Sequence, residues 1–262
     1  MPETDWGWLI DPSELKEWTV QENDDILLIN KPGLVVCHPS KKGPWSSLAG
    51  AIREYLEVDN VYLVSRLDRE TSGIVLFAKR KPVTRVLQMA LEQRKVSKTY
   101  LAIMEGEFTH PIYVNAPVGP DKHSLVRSKN TIKWQGRRQD ATTVYNPLHS
   151  ANGYTFVHVQ PVTGRKHQIR AHALGVGHSI TGDKLYGPDE TIFLDFIDDG
   201  WTEKLAEILP IKRHALHAYR MTFHLPDGEQ NYLAPLPLDL REFCQTKMNL
   251  ESDQLDALIA HL

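Results

Sequence analysis

Apolar positions in this chain gather into short runs more often than into helical stripes. Asp25-Ile26-Leu27-Leu28-Ile29-Asn30 reads as a strand, stopped by Lys31-Pro32-Gly33, where a fixed φ precedes a permissive residue. Residues 34–39 read as a second strand ending at Pro39. Residues 61–64 and 74–78 are β-branched or aromatic and read as buried strands on either side of a polar loop. Residues 98–104, 141–145, 154–160 and 215–225 are strand-like, and Tyr232-Leu233-Ala234 is a short candidate for another.

Helical spacing occurs in fewer places. Ser47 caps a predicted helix through about Tyr55, with Leu48, Ile52, Tyr55 and Leu56 on one face. Pro82 suits a first turn, and Val83, Val86, Leu87, Ala90 and Leu91 recur at helical intervals up to Arg94. Residues 164–174 read as a turn and then a helix, ending at Gly175-Val176-Gly177. Residues 188–210 resemble an insertion with a short helix near 203–208. Pro237 starts a helix through Phe243, and Ser252 caps a last one carrying Leu255, Leu258, Ile259 and Leu262.

Residues 1–20 hold Trp6, Trp8 and Trp18 without a period and read as an arm against the main body. Residues 106–140 are the least regular stretch, rich in Pro, Gly and basic residues, and read as an excursion. Strands outnumber helices and hairpin-like connections dominate. This predicts an α+β fold with a mixed, mostly antiparallel central sheet flanked by helices and loops. The expected division is an arm over 1–24, a main domain over 25–245 and a C-terminal helix over 246–262 packed on it.

At 262 residues the chain can bury a substantial core, and 41% apolar with 24% charged residues is ordinary for a soluble protein. No apolar run approaches the ~18 residues a membrane span needs. The acidic, aromatic N-terminus lacks the regions of a signal peptide. Cys37 and Cys244 are far apart and suggest neither a disulfide framework nor a metal site. A cytoplasmic protein is expected. The net charge is −3, yet basic residues crowd positions 79–170 while acids gather at the two ends and over 189–207. Such a distribution can present a basic face to phosphates.

The loop between the two apolar runs is Ser65-Arg66-Leu67-Asp68-Arg69-Glu70-Thr71-Ser72-Gly73. Strand-connecting loops carry function more often than the strands they join. By composition alone an acid between two arginines is an ordinary solvated turn. The histidines offer no metal-ligand spacing: His167 and His172 are five apart and do not share a helix face.

Arg66-Leu67-Asp68-x-x-Thr71-Ser72-Gly73 resembles the active-site motif of the RluA-type RNA pseudouridine synthases. The similarity extends over about residues 25 to 242. It takes in Asn30-Lys31-Pro32-Gly33 with His38-Pro39, Lys98 with Tyr100, and the block from Thr163 to His172 (Thr-Gly-Arg-Lys-His-Gln-Ile-Arg-Ala-His). Gly182-Asp183 with Tyr186-Gly187, Leu216-His217-Ala218 and Ala234-Pro235-Leu236-Pro237 complete the series. The resemblance implies a pseudouridine synthase-like catalytic domain that breaks a uridine's N-glycosidic bond and rejoins the base through C5. Every atom is kept, so no cofactor and no metal are implied.

By the same resemblance Asp68 is the nucleophile, attacking C1′ or C6, and an ordinary aspartate of pKa about 3.9 is ionised at neutral pH. Arg165 is implied as its arginine partner. Read locally, Arg165 could equally bind phosphate at a helix start. Tyr100 is implied to stack on the uracil, since a phenol of pKa about 10 is a poor base unaided; otherwise it is a half-buried strand tyrosine. Arg66 is implied to fill the stack as the nucleotide is extruded. Leu67, Ile169 and Leu216 wall the pocket or are simply core.

Two departures qualify the match. Ser65 stands where the family usually has His, which bears on subgroup and RNA fit. Many relatives carry an N-terminal S4-type RNA-binding domain, and only about 25 residues precede the opening strand here, too few for one. The expected partner is therefore a compact stem-loop in tRNA or rRNA, met by a monomer with no membrane attachment. The rival readings are a catalytically degenerate RNA-binding relative and a glycoside hydrolase pairing Asp68 with Glu70.

Overall fold

The computed structural model describes residues 9–38, 43–226 and 228–262. In chain order the elements begin with α1 (Pro12–Trp18), β1 (Thr19–Glu22), β2 (Ile26–Lys31), α2 (Leu48–Tyr55), β3 (Tyr62–Leu63), β4 (Ser72–Ala78) and α3 (Lys81–Glu92). There follow β5 (Val96–Glu105), β6 (Ile112–Asn115), β7 (Val118–Pro120), β8 (Asn130–Ile132), β9 (Thr142–Ala151) and β10 (Tyr154–Pro161). The chain closes with α4 (Gln168–Gly175), α5 (Thr191–Asp199), α6 (Glu203–Ile208), β11 (Leu216–Leu225), β12 (Gly228–Leu233), α7 (Leu238–Met248) and α8 (Ser252–Ala260). The α+β class and its antiparallel pairing are as the pattern predicts. No helix among the described residues is long and apolar enough to cross a membrane.

The chain divides into two compact units. The first is Met1–Lys98 with Ala218–Pro235. Here β2 pairs antiparallel with β4 from Ile26↔Ala78 to Lys31↔Gly73, β1 lies on the other side of β2, and β12 pairs with β11. Every residue of β4 is buried, which is why its sequence is a continuous apolar run rather than an alternation. Ile26, Leu28, Ile74 and Leu76 share a core with Leu87 and Ala90 of α3 and with Met221 and Phe223 of β11. Of the helical stripe read from Val83 to Leu91, Val83, Leu87, Ala90 and Leu91 close this core, whereas Val86 is exposed.

Two expectations fail in this unit. Residues 34–38 are not a strand, and Pro39 lies outside the described residues. Leu34 turns the chain at φ 71°, and the Val36 and Cys37 carbonyls accept from the Leu48 and Ala49 amides at 2.9 and 3.2 Å. The apolar signal was burial without a ladder: Val35 and Cys37 are each 2% exposed. The N-terminal arm, in turn, holds α1 and β1. Asp11 and Glu14 form a reciprocal cap on α1, which buries only Leu15, too little for a period to show. Trp6 and Trp8 lie outside the described residues.

The second unit is Thr99–His217 with Leu236–Leu262. Its strand order is β5-β10-β9-β6, with Val159 of β10 opposite Tyr100 of β5. Asn152-Gly153, both at positive φ, make the tight turn between β9 and β10. The stretch read as irregular carries β6, and β7 and β8 pair with each other as a separate ribbon. The 188–210 stretch holds the expected α6 and also α5, whose capping residue Glu190 makes no side-chain cap bond. Glu251, not Ser252, caps α8, through a reciprocal bond with Gln254.

Candidate active site

Arg66, Leu67 and Asp68 lie together on the loop between β3 and β4 in the first unit. Thr71 N–H donates to the Asp68 carbonyl at 3.2 Å, closing a turn directly behind the aspartate. Arg66 is exposed, Asp68 is half-buried, and Leu67 is buried. Glu70, Thr71 and Ser72 are buried. Gly73 holds φ +110°, and a Cβ there would meet the Ala218 carbonyl oxygen at 2.2 Å, so no other residue fits between β4 and β11.

The loop is tied from outside by the Lys31-Pro32-Gly33 segment. Lys31 is fully buried, and its ammonium donates to the carbonyls of Pro32 at 2.8 Å, Val35 at 2.9 Å and Arg69 at 3.0 Å. The Arg69 guanidinium returns a bond to the Leu34 carbonyl at 3.2 Å, and the Cys37 thiol lies 3.6 Å from the Leu67 carbonyl. A buried cation facing three carbonyls is satisfied where an unpaired one would be very costly. The carbonyls on both sides of Asp68 thus accept from buried side chains, Leu67 from the Cys37 thiol and Arg69 from the Lys31 ammonium. Near the same loop, burial and then the positive charge of Arg66 depress the His38 imidazole below its ordinary value.

Tyr100, Arg165, Ile169 and Leu216 belong to the second unit. Tyr100 is half-buried on β5, and burial draws the Lys98 ammonium, two residues earlier on that strand, down to about 8. The Thr163-Gly164-Arg165 turn is built by Gln168. Its side-chain carbonyl accepts from Thr163 Oγ1 at 2.7 Å and Arg165 N–H at 3.0 Å, and its amide donates to the Thr142 carbonyl and Thr143 Oγ1. His167, at φ 56°, turns the chain into α4. Ile169 and Leu216 are buried.

Hydrogen-bond directions also fix His172. The Ala116 carbonyl can only accept, so Nε2 donates to it at 2.8 Å. In the neutral ring Nδ1 is then the acceptor and takes the Thr143 hydroxyl proton at 2.9 Å. Burial pulls this imidazole below its ordinary value, and the bond to the Ala116 carbonyl opposes it. His167 Nδ1 meets the Tyr186 hydroxyl at 3.0 Å, so both histidines of the block have protein partners.

The two arginines of the block stand in different surroundings. Arg165 is half-buried, with Nε on the Asp140 carbonyl at 3.2 Å. Arg170 is buried and forked onto Asp183, Nε to Oδ2 at 2.6 Å and Nη2 to Oδ1 at 2.9 Å, with its guanidinium carbon 4.9 Å from the centre of the Tyr186 ring. Asp183 also accepts the Leu185 and Tyr186 amides at 3.0 Å. Burial pushes its carboxyl up, and the Arg170 charge and bonds overcome this and hold it well below the usual range. Sequence reading noted both residues within motifs and missed their pairing, because a separation of thirteen positions leaves no local signal.

A sequence model of the RNA pseudouridylate synthase family matches residues 25–174. The chain is 31% identical over 234 residues to the uncharacterized RNA pseudouridine synthase YhcT of Bacillus subtilis (strain 168), an alignment covering 86% of this chain and 70% of that protein. It is 31% identical over 247 residues to ribosomal large subunit pseudouridine synthase D of Haemophilus influenzae, covering 90% and 72%. Human RNA Pseudouridylate Synthase Domain Containing 4 shares the fold, with a TM-score of 0.69 at 24% identity over 89% of this chain and 94% of that one. The chain therefore belongs to the RNA pseudouridylate synthase family, and within it to the RluA type. It is an isomerase that modifies RNA.

Proposed function

We propose that this synthase isomerises a uridine in structured RNA with Asp68 as its nucleophile. The observation that carries the reading is the anchoring of the Asp68 loop. A nucleophile contributes most when its geometry is set before the substrate arrives, and both neighbours of Asp68 are held by buried groups. In the reaction the carboxylate attacks C1′ or C6 and the N1–C1′ bond breaks. The base turns, C5 joins C1′, the bond to the Asp68 carboxylate breaks and frees it, the C5 proton leaves and N1 gains one. Tyr100 stacks on the uracil. Leu67, Ile169 and Leu216 supply apolar wall, and exposed Arg66 fills the gap left by the extruded nucleotide.

A cation is needed to orient the carboxylate. Arg165 is the residue implied by the motif. A second reading assigns the role to Arg170, because its fork on Asp183 gives it the fixed position such a partner needs. Several relatives are named for the ribosomal large subunit, which favours rRNA over tRNA as the substrate.

The test uses RNA labelled with tritium at uridine C5, because the joining of C5 to C1′ releases that hydrogen. Wild-type protein should release tritium in step with pseudouridine formed and Asp68→Asn should release none. Free uracil in place of pseudouridine would support the hydrolase reading instead.

A further inference from the structure

The segment 117–141 has a composition unlike the rest of the chain. It holds Lys122, Arg127, Lys129, Lys133, Arg137 and Arg138 against only Asp121 and Asp140, in a protein of net charge −3. Its inner side is apolar and buried: Val118, Val126 and Ala141 pack with Ala171, Leu185 and Tyr186. Its outer side presents two large apolar residues to solvent, Leu125 at 67% and Trp134 at 63% exposure. Residues 134–140 are all exposed.

This outer side is held in place. The β7–β8 ribbon is pinned to the turn before α4, where Asn130 Nδ2 donates to the Lys166 carbonyl at 2.8 Å and Tyr186 receives the Asn130 amide. Glu190 clamps the 124–129 loop by accepting from Ser124 Oγ at 2.7 Å, Leu125 N–H at 2.8 Å and Lys129 Nζ at 2.8 Å. The Trp134 loop folds back so that Val118 and Gln139 exchange backbone bonds. Within it Arg138 reaches the Trp134 carbonyl and Lys133 the Pro120 carbonyl. A Cβ on Gly119 would stand 2.5 Å from the Arg137 carbonyl, so the loop lies directly on the ribbon. Lys122, Arg127 and Arg137 have no acidic partner among the described residues.

We propose that the Trp134 loop is a stacking platform for an unpaired base of the RNA, with Lys122, Arg127 and Arg137 meeting the flanking phosphates. An exposed indole on a closed loop, in a segment whose exposed cations include three without acidic partners among the described residues, joins the two elements by which proteins hold single-stranded nucleic acid. Its charge is opposite to that of RNA, and its base is bonded to the 163–167 turn of the candidate site, at Arg165 and Lys166. The assignment rests on RNA being the partner, as the synthase reading has it, and adds a contact outside the reacting residues.

The test is RNA binding by the full chain, followed by intrinsic tryptophan emission and by anisotropy of a fluorescein-labelled RNA. One probe is a stem with an eight-nucleotide uridine-rich loop, and the other is a blunt duplex of the same stem. The stem-loop should quench wild-type emission and the duplex should leave it unchanged. Trp134→Leu should lose the quenching and about tenfold in affinity, the effect of one stacked base, while Trp134→Phe keeps most of the affinity. Arg127→Gln and Arg137→Gln should each lower the salt slope by about one. Wild-type affinity and unchanged quenching in Trp134→Leu would overturn the platform, as would equal quenching by the duplex. Quenching that depends on Trp134 without any tritium release would leave the platform standing and remove the synthase assignment of Asp68.

Discussion

Lys31 donates its ammonium to the Arg69 carbonyl at 3.0 Å, although 38 positions separate them. Arg69 is the residue after Asp68, so the turn that ends β2 fixes the backbone of the candidate nucleophile. Replacing Lys31 by Met removes three bonds, among them the one to the buried Val35 carbonyl. Each unsatisfied buried group costs about 1–3 kcal/mol. The expected outcome is a destabilised protein whose kcat falls while RNA affinity holds, and Arg should not rescue it, because a planar fork cannot replace a compact ammonium among three acceptors. Chemical denaturation and single-turnover tritium release measure the two effects. An unchanged kcat would separate Lys31 from the loop's function.

The Arg170–Asp183 fork should set part of the acid limit of stability. The folded carboxyl lies below its unfolded value, so its contribution is complete above the unfolded pKa of about 3.9 and is lost as pH falls below it. Asp183→Asn leaves a buried guanidinium half-paired and should cost about 3–5 kcal/mol at neutral pH. Its stability should also fall less steeply than that of the wild type below pH 4. Thermal melts from pH 3 to 7 check both. Parallel acid limbs in the two proteins would contradict the assignment.

Arg165 and Arg170 can be told apart by substitution. If Arg165 orients the Asp68 carboxylate, Arg165→Gln should lower kcat by about 10²-fold or more, the scale for lost positioning, with little change in stability. If Arg170 does so, Arg165→Gln should act chiefly on KM, as the loss of a phosphate contact would. Steady-state kinetics with a single RNA decides between them.

Gly73→Ala should be severe. The added methyl meets the Ala218 carbonyl at 2.2 Å, and φ +110° is itself unfavourable for alanine. A loss above about 3 kcal/mol is expected, beyond the usual range for a surface substitution. A variant melting within a few degrees of the wild type would show that β4 and β11 can separate at no cost.

RNA affinity should fall steeply with salt, because basic side chains displace counterions from phosphates. A flat dependence between 50 and 200 mM would remove the basic-face argument, whatever the catalytic result.

Much of this fold was legible where one physical signal acted alone. β4 is buried on both faces and reads as an unbroken apolar run, and α3 has one buried face and reads as a stripe. The signals failed where burial and backbone bonding part company. Val35 and Cys37 are as buried as any strand residue, yet their segment serves Lys31 and α2. α1 and α5 escaped notice because each buries only one or two side chains. In the site, the motif residues could be named from the sequence, whereas their supports could not. Lys31 to Arg69, Gln168 to Thr143 and Arg170 to Asp183 are contacts between segments, and no local pattern records them.

On the proposal made above, Asp68 makes pseudouridine at a defined position. The direct measurement is a pseudouridine map of total RNA, by chemical labelling and primer extension, from cells lacking the gene and then supplied with wild-type protein or Asp68→Asn. One or a few positions should vanish on deletion and return only with the wild type. A position restored equally by Asp68→Asn would contradict the proposal.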